Sequence, residues 1–265
     1  MPGFLILLVL LVLLPATASA QTGAVPTSEH EWTQLWHRVN ENPYYLRGLG
    51  RDAGAAIVAA AVQTRPDGHV WAALAGTICN VDGPTRLALT DSARVAEFGA
   101  ARACLERIEA ALPDTATSES ADYVRSSLTL SLAEVLLEAG ALARADSIAA
   151  VELERGTDRG GADVGNIVYR MNQVRGRVAL RHGRHDEAIR FLHQAGETPG
   201  SPQLNSFGPQ LYLARELLAA GEVQVVRAFL GGLRRFWIGP DAEAFIVDAM
   251  AAIDDGRVPD GPRWR

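Results

Sequence analysis

Four polar residues at helical spacing form the most suggestive chemical set in the chain. Arg170, Gln173, Arg177 and Arg181 stand three, four and four positions apart, which on a helix aligns them in one stripe. Guanidinium groups match a carboxylate in bidentate fashion, and an amide adds both donors and an acceptor. Such a stripe lines a binding surface or forms a solvated helix face, and periodicity alone leaves both open.

The remaining reactive residue types give weaker patterns. Cys79 and Cys104 are the two cysteines of the chain. In an oxidising compartment an even pair reads as a disulfide; otherwise the two are small buried apolar side chains. A bridge would close a loop of about 25 residues and stabilise by roughly 3 kcal/mol. His182 and His185 flank the turn at Gly183 and His193 follows in the next helix, but no carboxylate or thiol stands at ligand spacing, so no metal is expected. His30 and His37 flank Trp32 and Trp36 and read as edge residues of an amphipathic helix.

Composition narrows the chemistry further. All 25 basic residues are Arg, so no Schiff-base, pyridoxal-phosphate or phosphate-loop lysine exists. No Gly-x-Ser-x-Gly elbow, His-Glu-x-x-His helix or dinucleotide-binding fingerprint occurs, and neither catalysis nor a cofactor is expected. The formal net charge of -6 argues against a nucleic-acid partner.

The elements that position these residues read as helices almost throughout. Phe4 to Leu14 is an unbroken apolar run closed by Pro15, and Ala18-Ser19-Ala20 has the form of a cleavage site. Residues 1–20 are therefore expected to be a signal peptide cleaved near Ala20-Gln21, which places the mature chain in the periplasm or outside the cell. The run covers about half of the roughly 20 residues that a bilayer requires, so no span is expected in the mature chain. Residues 21–90 form an N-terminal helical region, 91–255 a repeat region and 256–265 a polar tail.

Within these regions, Ser28 and Glu31 form a capping box that opens a helix burying Trp32, Leu35, Trp36 and Val39. Helices follow from Arg51 to Gln63 and from Asp91 to Leu112, the latter with Val95, Phe98, Leu105, Ile108 and Leu112 on one side. Val70 to Cys79 fits a short helix or a buried strand, and Asp82-Gly83-Pro84 reads as a turn. Further helices are expected over Ala121 to Ala139, after the break at Gly140 as far as Glu154, and over Asn166 to His182, Asp186 to Ala195, Phe207 to Ala220 and Val223 to Trp237. A last one ends near Ile253. The glycine-rich stretch Arg155 to Gly165 and the stretch Gly196 to Ser206 read as loops.

Three of these helix pairs share one signature. Gly140, Gly183 and Gly221 each end a helix, with Ala145, Ala188 or Val226 five residues later and Ala133, Gly176 or Ala214 seven before. Small side chains there let two helix backbones approach. The stretch from Gly176 through Gly183 to Ile189, with Ala195 closing the second helix, resembles the tetratricopeptide repeat. Pro199 and Pro202 fall where that family ends its repeat. Ser201 to Leu211 is similar to a stretch in bacterial proteins of this kind. The copies are degenerate: Thr129, Asn172 and Gln210 replace the usual early aromatic, and the turn glycines lie further apart than the family's roughly 34 residues.

The resemblance implies an all-α fold, a right-handed superhelix of stacked antiparallel helix hairpins whose first helices line a concave groove. Arg170, Gln173, Arg177 and Arg181 match groove positions, which implies a protein or peptide partner of acidic character. The alternative is an enzyme or small-molecule-binding protein with its site within residues 32–90, where the repeat signature is absent.

Overall fold

The computed structural model describes residues 23–81, 89–113, 118–159, 163–261 and 263–264. The expected signal peptide and the turn at Asp82-Gly83-Pro84 lie outside the described residues. Among the described residues the chain is all-α, with no strand. In order the helices are α1 (Glu29–Glu41), α2 (Tyr45–Gly48), α3 (Arg51–Thr64), α4 (Gly68–Ala72), α5 (Ala75–Cys79), α6 (Asp91–Ala111), α7 (Glu119–Glu138) and α8 (Leu142–Arg159). There follow α9 (Val164–Arg181), α10 (His185–Gly196), α11 (Pro202–Phe207), α12 (Tyr212–Ala219), α13 (Val223–Gly232), a 3-10 turn at Leu233–Arg235, and α14 (Ala242–Asp254).

Local chemistry explains most of these boundaries. Ser28 Oγ accepts a hydrogen bond from the Glu31 N–H, and the Glu31 carboxylate accepts one from the Ser28 N–H, so the first turn of α1 satisfies its own donors. Gly140, Gly183 and Gly221 all adopt the left-handed conformation, at φ +80, +72 and +91. At each, the glycine N–H bonds back three residues and the next N–H bonds back five: to Leu137 and Leu136, Leu180 and Ala179, Leu218 and Leu217. This is one helix-ending motif made three times, and Gly256 at the end of α14 repeats it with Ile253 and Ala252. The small residues on either side are buried: Ala133, Ala145, Ala188, Ala214 and Val226 are each fully enclosed.

Two apolar cores result, and α9 belongs to both. Ile167, Met171, Val174 and Val178 face the first, which joins α1 to α8. Tyr169 and Ala179 face the second, which runs on through α14. Trp71 centres the N-terminal part, with its ring 5.2 Å from Trp32 and 5.0 Å from Trp36. Cys79 and Cys104 are bonded to each other, with Cα atoms 5.5 Å apart, which ties α5 to α6.

Tertiary packing moved several elements from their expected places. The undecided stretch Val70 to Cys79 forms two short helices, α4 and α5. α8 continues through Gly156 to Arg159 where a loop was expected. Gly156 is there because a Cβ would lie 2.9 Å from Ile167 Cγ2 on α9, so close approach and not flexibility explains it. The expected loop at Gly196 to Ser206 contains the start of α11, which Ser201 caps through the Leu204 N–H and Pro202 opens. The helix expected from Phe207 begins only at Tyr212, because Gly208 turns left-handed at φ +71. Val95 is exposed, not buried with Phe98, Leu105 and Ile108. The tail expected to be polar returns to the core: Trp264 is 1% exposed, and the Leu211 N–H bonds to the Arg263 carbonyl at 2.7 Å.

Candidate functional site

A concavity of about 700 Å³ lies over α9. That volume falls within the range that holds a small ligand or a few residues of a partner. Its floor is the face of α9 that carries Arg170, Gln173 and Arg177. One wall is α7, through Tyr123, Ser127 and Glu134. The facing wall is α11 and the chain beyond it, through Gln203, Phe207 and Gln210. Asn80 and Val81, just after the disulfide, close one edge.

The α11 wall is fastened to the floor by polar contacts. The Asn166 amide donates to Asp163 Oδ1 at 2.8 Å and to Gln203 Oε1 at 3.1 Å, and accepts from Ser201 Oγ at 2.7 Å. Thr198 Oγ1 donates to the Gly165 carbonyl at 2.8 Å. Further along, Tyr169 donates to the Gln210 carbonyl at 2.6 Å, and Gln173 Oε1 accepts from the Leu213 N–H at 3.0 Å. Burial pushes the Tyr169 hydroxyl well above its ordinary pKa, so it stays protonated and keeps donating. The amides of α9 are thereby used by the fold itself.

The same holds for the arginines. Arg170 meets Glu134 on α7 in a bidentate pair, Nε to Oε1 at 2.7 Å and Nη2 to Oε2 at 2.9 Å. Arg177 lies between Glu138 at 2.9 Å and Glu216 at 2.7 Å. Its guanidinium also stands 5.5 Å over the Tyr212 ring. Burial alone would lower the pKa of Arg177, but the two carboxylates outweigh it and leave the pKa raised. Arg181 is 3.9 Å from Glu216 and 40% exposed, at the end of the stripe beyond the cavity.

The stripe is therefore neither a solvated face nor a positively charged groove. Three of its four members do gather at one concave site. Every guanidinium in the stripe faces a carboxylate of this chain. Sequence reasoning missed Glu134 and Glu138 on α7, although their i, i+4 spacing mirrors that of the arginines. It also missed Phe207, 72% exposed, and Tyr123, 46% exposed, which stand on opposite walls.

The N-terminal half offers less. A second cavity of about 250 Å³ between α4, α5, α6 and α7 is lined by small and apolar residues with Tyr123, Ser127 and Ser131. No histidine or carboxylate lines it. His182, His185 and His193 are exposed, and among the described residues no group of three His, Cys, Asp or Glu could hold a metal ion. Among the described residues no helix is long and apolar enough to cross a membrane. The chain matches no protein-family model, no curated protein and no solved structure.

Proposed function

We propose that this chain is an exported, non-catalytic helical-repeat protein that holds a segment of another protein in the cavity over α9. In this reading the hairpins α7–α8, α9–α10 and α12–α13 stack as a right-handed, tetratricopeptide-like α-solenoid. The three identical glycine turns support that reading, as does the direct packing of α9 against both α7 and α12. The apolar run Phe4 to Leu14 and the Cys79–Cys104 bridge support export.

The observation that carries the binding role is the cavity itself. Rigid helices and a polar-bonded wall build it, and Tyr123 and Phe207 leave large aromatic surface open on its two sides. Exposed aromatic rings of this kind are what partner contacts commonly bury. The partner is a protein or peptide.

Site-specific photo-cross-linking in the exporting cell tests the proposal. A photoreactive amino acid placed at Phe207 or Tyr123 should give one shared protein adduct, while the same group at exposed Val247 on α14 should not. Adducts equal at all three positions, or none at the two cavity positions, would overturn it.

A further inference from the structure

We infer that Glu134 sets the specificity of the cavity: it occupies the Arg170 guanidinium as a built-in carboxylate, so the site selects uncharged peptide segments over acidic ones. This rests on the proposed binding role of the cavity.

The geometry carries the inference. Arg170 and Glu134 make the bidentate pair that an acidic ligand would otherwise make, at 2.7 and 2.9 Å. The pair is open to the cavity, with side-chain exposures of 29% for Arg170 and 44% for Glu134. An incoming carboxylate would have to displace Glu134, exchanging one ion pair for another and leaving two like charges side by side. The exchange brings no Coulomb gain, and the displaced charge opposes it. Arg177 offers no substitute, because its side chain is 8% exposed between Glu138 and Glu216. Among the described lining residues Arg170 and Arg177 are matched by Glu134 and Asp163, so these residues present no net charge that draws an acidic partner.

What stays available suits a neutral segment. Nη1 of Arg170 takes no part in the bonds to Glu134 or Ser131, and it can donate to a peptide carbonyl. Gln203 uses its oxygen toward Asn166 and keeps its amide hydrogens for a second acceptor. Tyr123 and Phe207 flank these groups with apolar surface.

Two small probes that differ only in charge test this: N-acetyltyrosinamide and N-acetyltyrosine, titrated into the full chain while the side-chain amide resonances of Gln203 on the cavity wall are followed by NMR. Wild type should bind the amide more tightly than the acid. Glu134→Gln should bind the acid about tenfold more tightly than wild type does, a difference of roughly 1.4 kcal/mol. Arg170→Gln added to that variant should remove the gain. Glu134 is partly exposed, so the single variant should keep its fold, checked by circular dichroism. Wild type binding the acid as tightly as the amide, or Glu134→Gln showing no gain for the acid, would overturn the inference. If cross-linking fails at Phe207 while Glu134→Gln still gains the acid, the binding role falls and the masking of Arg170 stands.

Discussion

Gly165 at the start of α9 lies against the backbone of Gly200, so close that a Cβ on Gly165 would fall 1.7 Å from the Gly200 carbonyl oxygen. That approach seats the chain before α11 on the first turn of α9, where Thr198 and Ser201 complete it with hydrogen bonds. The cavity wall that carries Gln203 and Phe207 therefore depends on two glycines, one in each partner segment.

Gly165→Ala should destabilise the protein by more than Gly176→Ala. At Gly165 the obstruction is backbone, which cannot swing aside, and the loss should exceed the roughly 1–3 kcal/mol of ordinary overpacking. At Gly176 the nearest atom is Leu213 Cδ2, at 2.3 Å from the added Cβ, and a side-chain end can move. Urea denaturation of both variants checks the order.

Arg177→Met should cost on the order of 3 kcal/mol, because Glu138 is left nearly enclosed without its closest cation. Arg94 remains, but at 3.8 Å. Adding Glu138→Gln should recover part of the loss by removing the carboxylate that Arg177 neutralised. The two unfolding midpoints, read side by side, decide this.

Reducing Cys79–Cys104, or replacing both with Ala, should lower stability by about 3 kcal/mol on the loop-closure argument. The bridge spans a sequence separation of 25 and joins α5 to α6. Guanidinium unfolding with and without a thiol reductant gives the difference directly. Equal midpoints would mean that packing alone holds these helices together.

Glu109 on α6 should make stability fall slightly as pH rises through the weakly acidic range. Burial raises its pKa, Arg144 draws it back, and neighbouring Glu106 raises it again. A folded-state pKa above the unfolded one means the stabilising contribution is full at low pH and lost as the group ionises. Glu109→Gln should therefore be the more stable protein at pH 7, by under about 1 kcal/mol since water still reaches the group, and equal to wild type at pH 3. Thermal unfolding across that interval measures it.

Much of the fold was legible in the residues. The capping box at Ser28 and Glu31, the buried stripe of α1 and the turns at Gly140, Gly183 and Gly221 stand where local pattern placed them. The capping box and the turns depend on contacts between residues at most five apart, and the α1 stripe on helical periodicity, all of which are written in adjacent sequence. Two of the misread stretches involve distant partners. Gly156 looked like a loop residue because Ile167 on the next helix is what requires it, and Trp264 looked like part of a tail because its core lies elsewhere in the chain.

The candidate site divides along the same line. Spacing alone put Arg170, Gln173 and Arg177 on one face of one helix, because helical geometry is set by neighbouring residues. Whether that face is charged, solvated or closed was decided by Glu134 and Glu216, 36 residues before Arg170 and 39 after Arg177. Only tertiary packing brings those carboxylates within hydrogen-bond distance, and Coulomb energy falls off too steeply for a charge to matter otherwise. The residues determined that the chain would be helices joined by glycine turns. The packing of α7, α9 and α12 determined that the arginine stripe would meet its own acids, so that the described residues lining the cavity carry no net charge.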